Sequence, residues 1–314
     1  MSDALVLSVI IAASDSMTAL ERTVASLRAQ VTPHRFEILV AAASDRFPGL
    51  EPQPGLRVVV AAPGTGVPRL RRLGLAQAAG TIAVFTEDSC VFQPNWINGW
   101  LQAFRPPAVA AATGPVEPAM GNATLDWAVF FCEYAPFLQQ SSPLPTTSPA
   151  RLAGNNFAVR IADGYGLDRP EIQESDLHRT LSQSQAPIVE AKTALAWHVR
   201  RYAWREAFGN RLRFGLEFGR LRRSRHSRWV NIAAGLAGPA IFLVQALRLA
   251  LLMAHADRHH RRFLASLPIT LGLLMAWSVG ESLGWAGVPA SRRPVDSAGE
   301  RTGQTPEPAP AQSR

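Results

Sequence analysis

AGTIAVFTEDSC, residues 79–90, leaves a glycine turn, runs through six uncharged residues and stops on two carboxylates, Glu87 and Asp88. A run this short, apolar on both alternations and bounded by a turn, reads as a strand buried on both faces of a parallel sheet. Working outward, residues 5–13, 36–43 and 55–62 have the same character. Helical patterns lie between them, one from Ser16 or Thr18 to about residue 30, the other over residues 69–79. Strands alternating with helices of this length predict a doubly wound α/β layer. Ligands in such layers sit beyond the carboxyl ends of the strands. Residues 12–15, 41–45 and 87–90 should therefore converge on one crevice. Paired acids at a strand exit either hold a hard cation through oxygen ligands or cap the helix expected near Pro94; both readings stand on this feature alone.

Composition narrows the class. With 314 residues and 47% hydrophobic content the chain supports a sizeable core, and its two cysteines, Cys90 and Cys132, exclude a disulfide scaffold or a structural zinc cluster. They read as buried thiols. The histidines show no paired metal-ligand spacing, and no Gly-x-Gly-x-x-Gly or P-loop occurs. The formal charge of +8 is not spread evenly: residues 1–199 hold 14 basic and 17 acidic side chains, while residues 200–228 hold ten arginines against Glu206 and Glu217. A basic collar, not a globally basic surface, carries the charge.

The middle of the chain has a Pro/Ser/Thr-rich loop over 139–149, a strand-like segment over 151–161 and a helix from Glu174 to about residue 181. Trp96, Trp100 and Phe104 recur at helical spacing and read as core. Glu174 and Asp176 suit a first helical turn, where acids favour the dipole. Arg69, Arg71 and Arg72 suit a solvated helix face.

In order and spacing, LSVIIAASDS (7–16), SLRAQ (26–30), FEILV (36–40), RRLGLAQAAGTIAVFTEDSCVFQPNWI (71–97), LAGNNFAVR (152–160) and QESDLHRTL (173–181) resemble the family 2 glycosyltransferases, nucleotide-diphospho-sugar-using enzymes of the GT-A fold. The resemblance covers roughly the first 180 residues. It implies that Glu87, Asp88 and Ser89 stand at the family's acidic metal motif, with Ser89 in place of its last acid, and that a divalent metal, Mg2+ or Mn2+, is used. It places Ala12, Ala13, Asp15, Arg71, Asp88, Asn155 and Asn156 toward the nucleotide-sugar, with Arg71 near the diphosphate. Gln173-Glu174 matches the family's acidic pair, which makes Glu174 the implied base that deprotonates the acceptor hydroxyl and Asp176 its alternate. Two departures accompany these matches. Ala12-Ala13-Ser14-Asp15 replaces the usual turn after the first strand, and Ala42-Ala43 stands where an acid reads the base. The activity implied is inverting sugar transfer from a nucleotide-diphospho-sugar donor to a lipid-linked or glycan hydroxyl. The departures motivate the alternative of a non-catalytic GT-A-like membrane scaffold.

Beyond residue 228 the composition changes. Residues 230–247 and 263–280 are each 18 residues without a charge, close to the roughly 20 needed to cross a bilayer. The collar interleaves arginine with aromatic residues and runs directly into them, which favours contact with an anionic membrane over nucleic acid. The expected organisation is a GT-A-like domain over 1–199, with a doubly wound mixed sheet, an arginine-rich juxtamembrane segment over 200–228, and a pair of hydrophobic membrane helices within 229–288, at about 230–253 and 263–286. A disordered tail is expected over 289–314, and the catalytic domain is expected on the cytosolic side. Either the pair is a crossing hairpin, or both segments stay in one leaflet. Arg258, Arg261 and Arg262 between them weigh against a translocated loop, and the strongly basic collar weighs for the hairpin.

Overall fold

The first four expected strands form, with boundaries within two residues of the pattern. β1 (Leu7–Ala13) leads to α1 (Met17–Arg28), then come β2 (Phe36–Ala43), β3 (Leu56–Ala61), α2 (Val67–Leu75) and β4 (Ile82–Glu87). The structure is a computed structural model and describes residues 5–119, 123–139, 151–223, 227–254 and 256–289. Apart from residues 139 and 289, the expected Pro/Ser/Thr loop and the expected tail lie outside the described residues. Every residue of β1 is buried, as its unbroken apolar run requires. The Ser16 side chain accepts from the Ala19 N–H and fixes the start of α1. Pro68 lies in the first turn of α2, where its missing N–H costs nothing. Gly80 enters β4 against the β1 backbone, where a Cβ would sit 2.8 Å from Leu7 and Ser8 main-chain atoms.

The chain continues through β5 (Cys90–Phe92), α3 (Trp96–Ala103), β6 (Ala111–Thr113), β7 (Val116–Pro118), α4 (Thr124–Tyr134), β8 (Asn156–Arg160), α5 (Glu174–Gln183), β9 (Ile188–Glu190) and β10 (Ala196–His198). The main sheet has the order β3-β2-β1-β4-β8-β6-β9. β1 pairs in parallel with β2 and β4, and β8 runs antiparallel to both β4 and β6, so the sheet is mixed. A second sheet, β5-β10-β7, crosses the carboxyl end. Trp96 and Trp100 are fully buried and meet edge to face, which bears out their reading as core.

Four helices follow: α6 (Trp204–Arg223), α7 (Arg228–Leu236), α8 (Gly238–Ala254) and α9 (His260–Ala286). Here one expectation is corrected. The apolar stretch at about 230–253 is not one membrane helix, because α7 and α8 meet at a 64° bend across Ala237, just before Pro239. Only α9 is a single helix long and apolar enough to span, among the described residues. The arginine-rich collar folds as α6 and lies alongside α9 in parallel. Gly215 and Gly219 face Trp277 and Glu281, and Gly280 and Gly284 face Leu212 and Leu216, so that a Cβ at any of the four would overlap a partner carbonyl. Gly280-x-x-x-Gly284, a spacing that in the sequence suits close helix packing and chance equally, is half of this paired contact. The first half of α9 packs on α4, with Phe263 edge-on to Phe131 and Thr270 beside Cys132.

Candidate active site

The loops at the carboxyl ends of β1, β2 and β3 are tied to one another and to the exit of β4. Asp45 accepts from the Gly64 N–H, and Arg46 donates to the Ser14 carbonyl at 2.6 Å. Asp88 holds the first loop: its Oδ1 accepts the Ser14 N–H at 3.0 Å and its Oδ2 the Asp15 N–H at 2.8 Å. It is fully buried, and burial pushes its pKa up to about 7 even though the two N–H bonds favour the charged form. Ser89 is also buried, its hydroxyl beside the Cys90 sulfur, and burial pushes that thiol up to about 12. Of the three residues expected at a metal motif, Glu87 alone keeps a partly exposed carboxylate.

Arg71 is the hub. From α2 its guanidinium enters the interior, where the side chain is 3% exposed. Nη2 donates to Glu87 Oε1 at 3.1 Å and to the Gly154 carbonyl at 2.6 Å; Nη1 donates to Glu174 Oε2 at 2.9 Å and to the Ile172 carbonyl at 3.3 Å. One planar cation thus bridges the exit of β4 and the start of α5, a fork that only arginine provides. Of the two readings of this residue, a cation toward the donor or a solvated helix face, its burial excludes the solvated face. Burial raises the Glu87 pKa, opposed by Arg71 and then by Arg200.

Arg200, expected within the juxtamembrane collar, stands at this site instead. It follows β10, pairs with Glu206 Oε1 at 2.7 Å, and brings Nε to 3.8 Å from Asp15 Oδ1. Its guanidinium also lies over the Tyr202 ring. The available signal was its position as first arginine of the collar, directly after a strand. His198 on β10 is buried among Tyr134, Phe130 and Tyr202, and burial drives its pKa down to about 3, so it is neutral at working pH.

The remaining expected residues divide. Ala12 stands in register with Glu87, and Ala12 and Ala13 are buried at the end of β1. Asn156 is corrected from a sugar contact to an internal strut: its side chain donates to the Pro115 and Ala194 carbonyls and accepts from Trp96, with no exposure. Asn155 is equally buried, and its carbonyl accepts from Thr86. Asp176 points along the outside of α5 toward Arg179 and Arg169, away from the hub.

These donors do not fit a resident divalent cation, which takes several oxygen ligands. Both Asp88 oxygens accept main-chain N–H groups, Ser89 is inside, and one Glu87 oxygen is held by Arg71. Among the described residues no three His, Cys, Asp or Glu side chains gather as a metal would need.

Removing the Asp88 carboxylate leaves two loop amides unpaired. Asp88→Ala is expected to cost about 2 kcal/mol in denaturant unfolding. The raised pKa fixes the pH dependence: the folded state favours the protonated acid, so its contribution is full below about pH 4 and falls as pH rises toward about 7. The cost of Asp88→Ala should therefore be greatest at acid pH and shrink toward neutrality.

No protein-family model and no curated protein matches the sequence. Among solved structures the chain is similar to the mannosyltransferase PcManGT from Pyrobaculum calidifontis in complex with GDP-Man and Mn2+, with a TM-score of 0.50 and 15% identity over 88% of this chain and 86% of that one. It also matches GalNAc-T7 with UDP, GalNAc and Mn2+ (TM-score 0.45, 16% identity, 64% of this chain and 45% of that one). A third match is S. aureus TarS 1-349 (TM-score 0.45, 14% identity, 70% and 65%). The fold is that of the GT-A-type glycosyltransferases.

Proposed function

We propose that the protein is an inverting glycosyltransferase that moves a sugar from a nucleotide-diphospho-sugar to a hydroxyl of a membrane-associated or glycan acceptor. The observation that carries this reading is the Arg71 bridge, which holds Glu87 and Glu174 at the carboxyl ends of the parallel strands in a GT-A-type fold. In this proposal Glu174, partly exposed, takes the proton of the acceptor hydroxyl. The acceptor oxygen then bonds to the anomeric carbon as the bond to the diphosphate oxygen breaks, and the nucleoside diphosphate leaves. General-base assistance of this kind contributes typically about 10²- to 10⁴-fold. Asp15 and Glu87 lie on the donor side, and Arg200, the partly exposed cation beside them, meets the diphosphate charge. GDP-Man, present in the similar mannosyltransferase structure, heads the panel to be tried, with UDP-sugars beside it.

The test is calorimetry of the full chain with GDP-mannose, UDP-GlcNAc and UDP-GalNAc, each with Mn2+ and with EDTA. At least one donor should bind, with affinity that survives EDTA, and Arg200→Gln should weaken it by about tenfold or more. The inward turn of Asp88 and Ser89 favours a second reading, a non-catalytic GT-A-like membrane scaffold. Failure of every donor to bind under either condition would establish it over the first.

A further inference from the structure

We infer that α7, α8 and α9 form a platform lying in one leaflet of an anionic membrane, on the side of the catalytic domain, and do not cross it. The turn between α8 and α9 carries the first observation. His259 Nε2 meets Glu117 Oε2 of β7 at 2.7 Å, and the rings of His259 and Trp127 lie 5.5 Å apart. Arg262 stacks over the same Trp127 of α4. A crossing hairpin would carry this turn through about 30 Å of hydrocarbon, away from both partners. The second observation is α6. It lies against the second half of α9 through four glycines with no room for a Cβ, so α9 cannot enter hydrocarbon without it. Yet α6 bears Arg205, Arg213, Arg220, Arg222 and Arg223, which are not tolerated facing lipid tails. The third is length: α8 has 17 residues, about 26 Å of helix at 1.5 Å per residue, and its 64° bend stops α7 from extending it.

What the helices leave uncovered names the partner. Trp229, Leu236, Leu243, Leu247, Leu264 and Met275 are exposed on α7, α8 and α9. An apolar groove of about 520 Å³ opens between α8 and α9, sized for a hydrocarbon tail. Exposed arginines stand at both ends of this surface, Arg220, Arg222, Arg223 and Arg228 at one and Arg258 and Arg261 at the other, and Arg248 stands exposed on α8 between them, with a stem long enough to carry its charge out to the headgroups. Apolar area between two cationic rims matches tails flanked by anionic headgroups. The catalytic half, with its acidic excess, is the part such a surface repels.

The experiment uses the full chain added to preformed sealed vesicles, of phosphatidylcholine alone or with phosphatidylglycerol in equal parts. Flotation with the anionic vesicles is expected, reduced by salt, and at least about tenfold weaker for the double variant Leu243→Glu, Leu247→Glu. Those positions are exposed, so an unchanged thermal transition will show that the variant folds. Topology is read from Arg258→Cys in a Cys90→Ala, Cys132→Ala background whose fold and binding match the parent. A membrane-impermeant maleimide added outside should label it fully. Protection until detergent is added overturns the inference in favour of a hairpin. Absence of binding to either vesicle, or self-association through the same helices in place of binding, overturns it as well. None of these outcomes depends on whether the chain transfers sugar.

Discussion

Arg71→Met is expected to abolish transfer and to cost about 3 kcal/mol of stability, the largest single effect foreseen for this chain. Methionine fills most of the space but leaves Glu87 and Glu174 facing each other without their common cation, and the Gly154 and Ile172 carbonyls without a donor. Breaking a buried pair by removing one partner costs roughly 3–5 kcal/mol, and the partial exposure of Glu174 places this case at the lower end. Denaturant unfolding and a donor-hydrolysis or transfer assay read the two losses separately. Arg71→Lys tests the fork: a point charge reaches one carboxylate but not both, so it should recover part of the stability and little of the activity. Wild-type activity in Arg71→Met would dismiss the bridge as the organising element of the site.

Glu174→Gln is expected to lower kcat by about 10² or more while donor affinity stays within about twofold of the parent. The choice of glutamine matters because its amide oxygen can still accept from Arg71 Nη1, so the bridge survives and only the basic site is removed. A loss in kcat without a loss in folding stability therefore isolates proton transfer from architecture. Asp176→Asn is the control, since Asp176 pairs with Arg179 and Arg169 outside the hub, and its turnover should change little. Should the two variants behave alike, Glu174 would be a tether for Arg71 and nothing more.

The long parallel strands were legible because burial on both faces writes itself as an unbroken apolar run; β2 matches its expected bounds at both ends. The three-residue strands β5, β6, β7, β9 and β10 were not, since three residues hold no period and their pairing is decided by partners distant in the chain. At the site, residue types were visible but directions were not. Glu87 and Asp88 are neighbours, yet one side chain reaches Arg71 and the other turns back to the first loop, a difference set by main-chain amides that Ser14 and Asp15 supply. Arg71 was visible as a cation near the chemistry, whereas its partners at Glu87 and Glu174 lie 16 and 103 positions away. In the C-terminal third, hydropathy gave apolar lengths, while the bend across Ala237 and the facing glycines of α6 and α9 depend on packing that no window of sequence contains.

The packing of α9 on α4 governs how this protein can be taken apart. Phe131, Phe263 and Leu274 belong to one buried cluster, and Val129, Ala207 and Leu273 to another, so both cores join α4 to helices that follow residue 199. Cutting after residue 199 would not release a finished domain but would strip a wall from α4 and bare aromatic surface beside the neutral His198 pocket. Such a fragment should aggregate or need detergent even though every residue of the candidate site except Arg200 is present. The C-terminal helices are thus part of the hydrophobic interior of the protein, and solubilising it calls for charge on the outer faces of α8 and α9 with their full length retained.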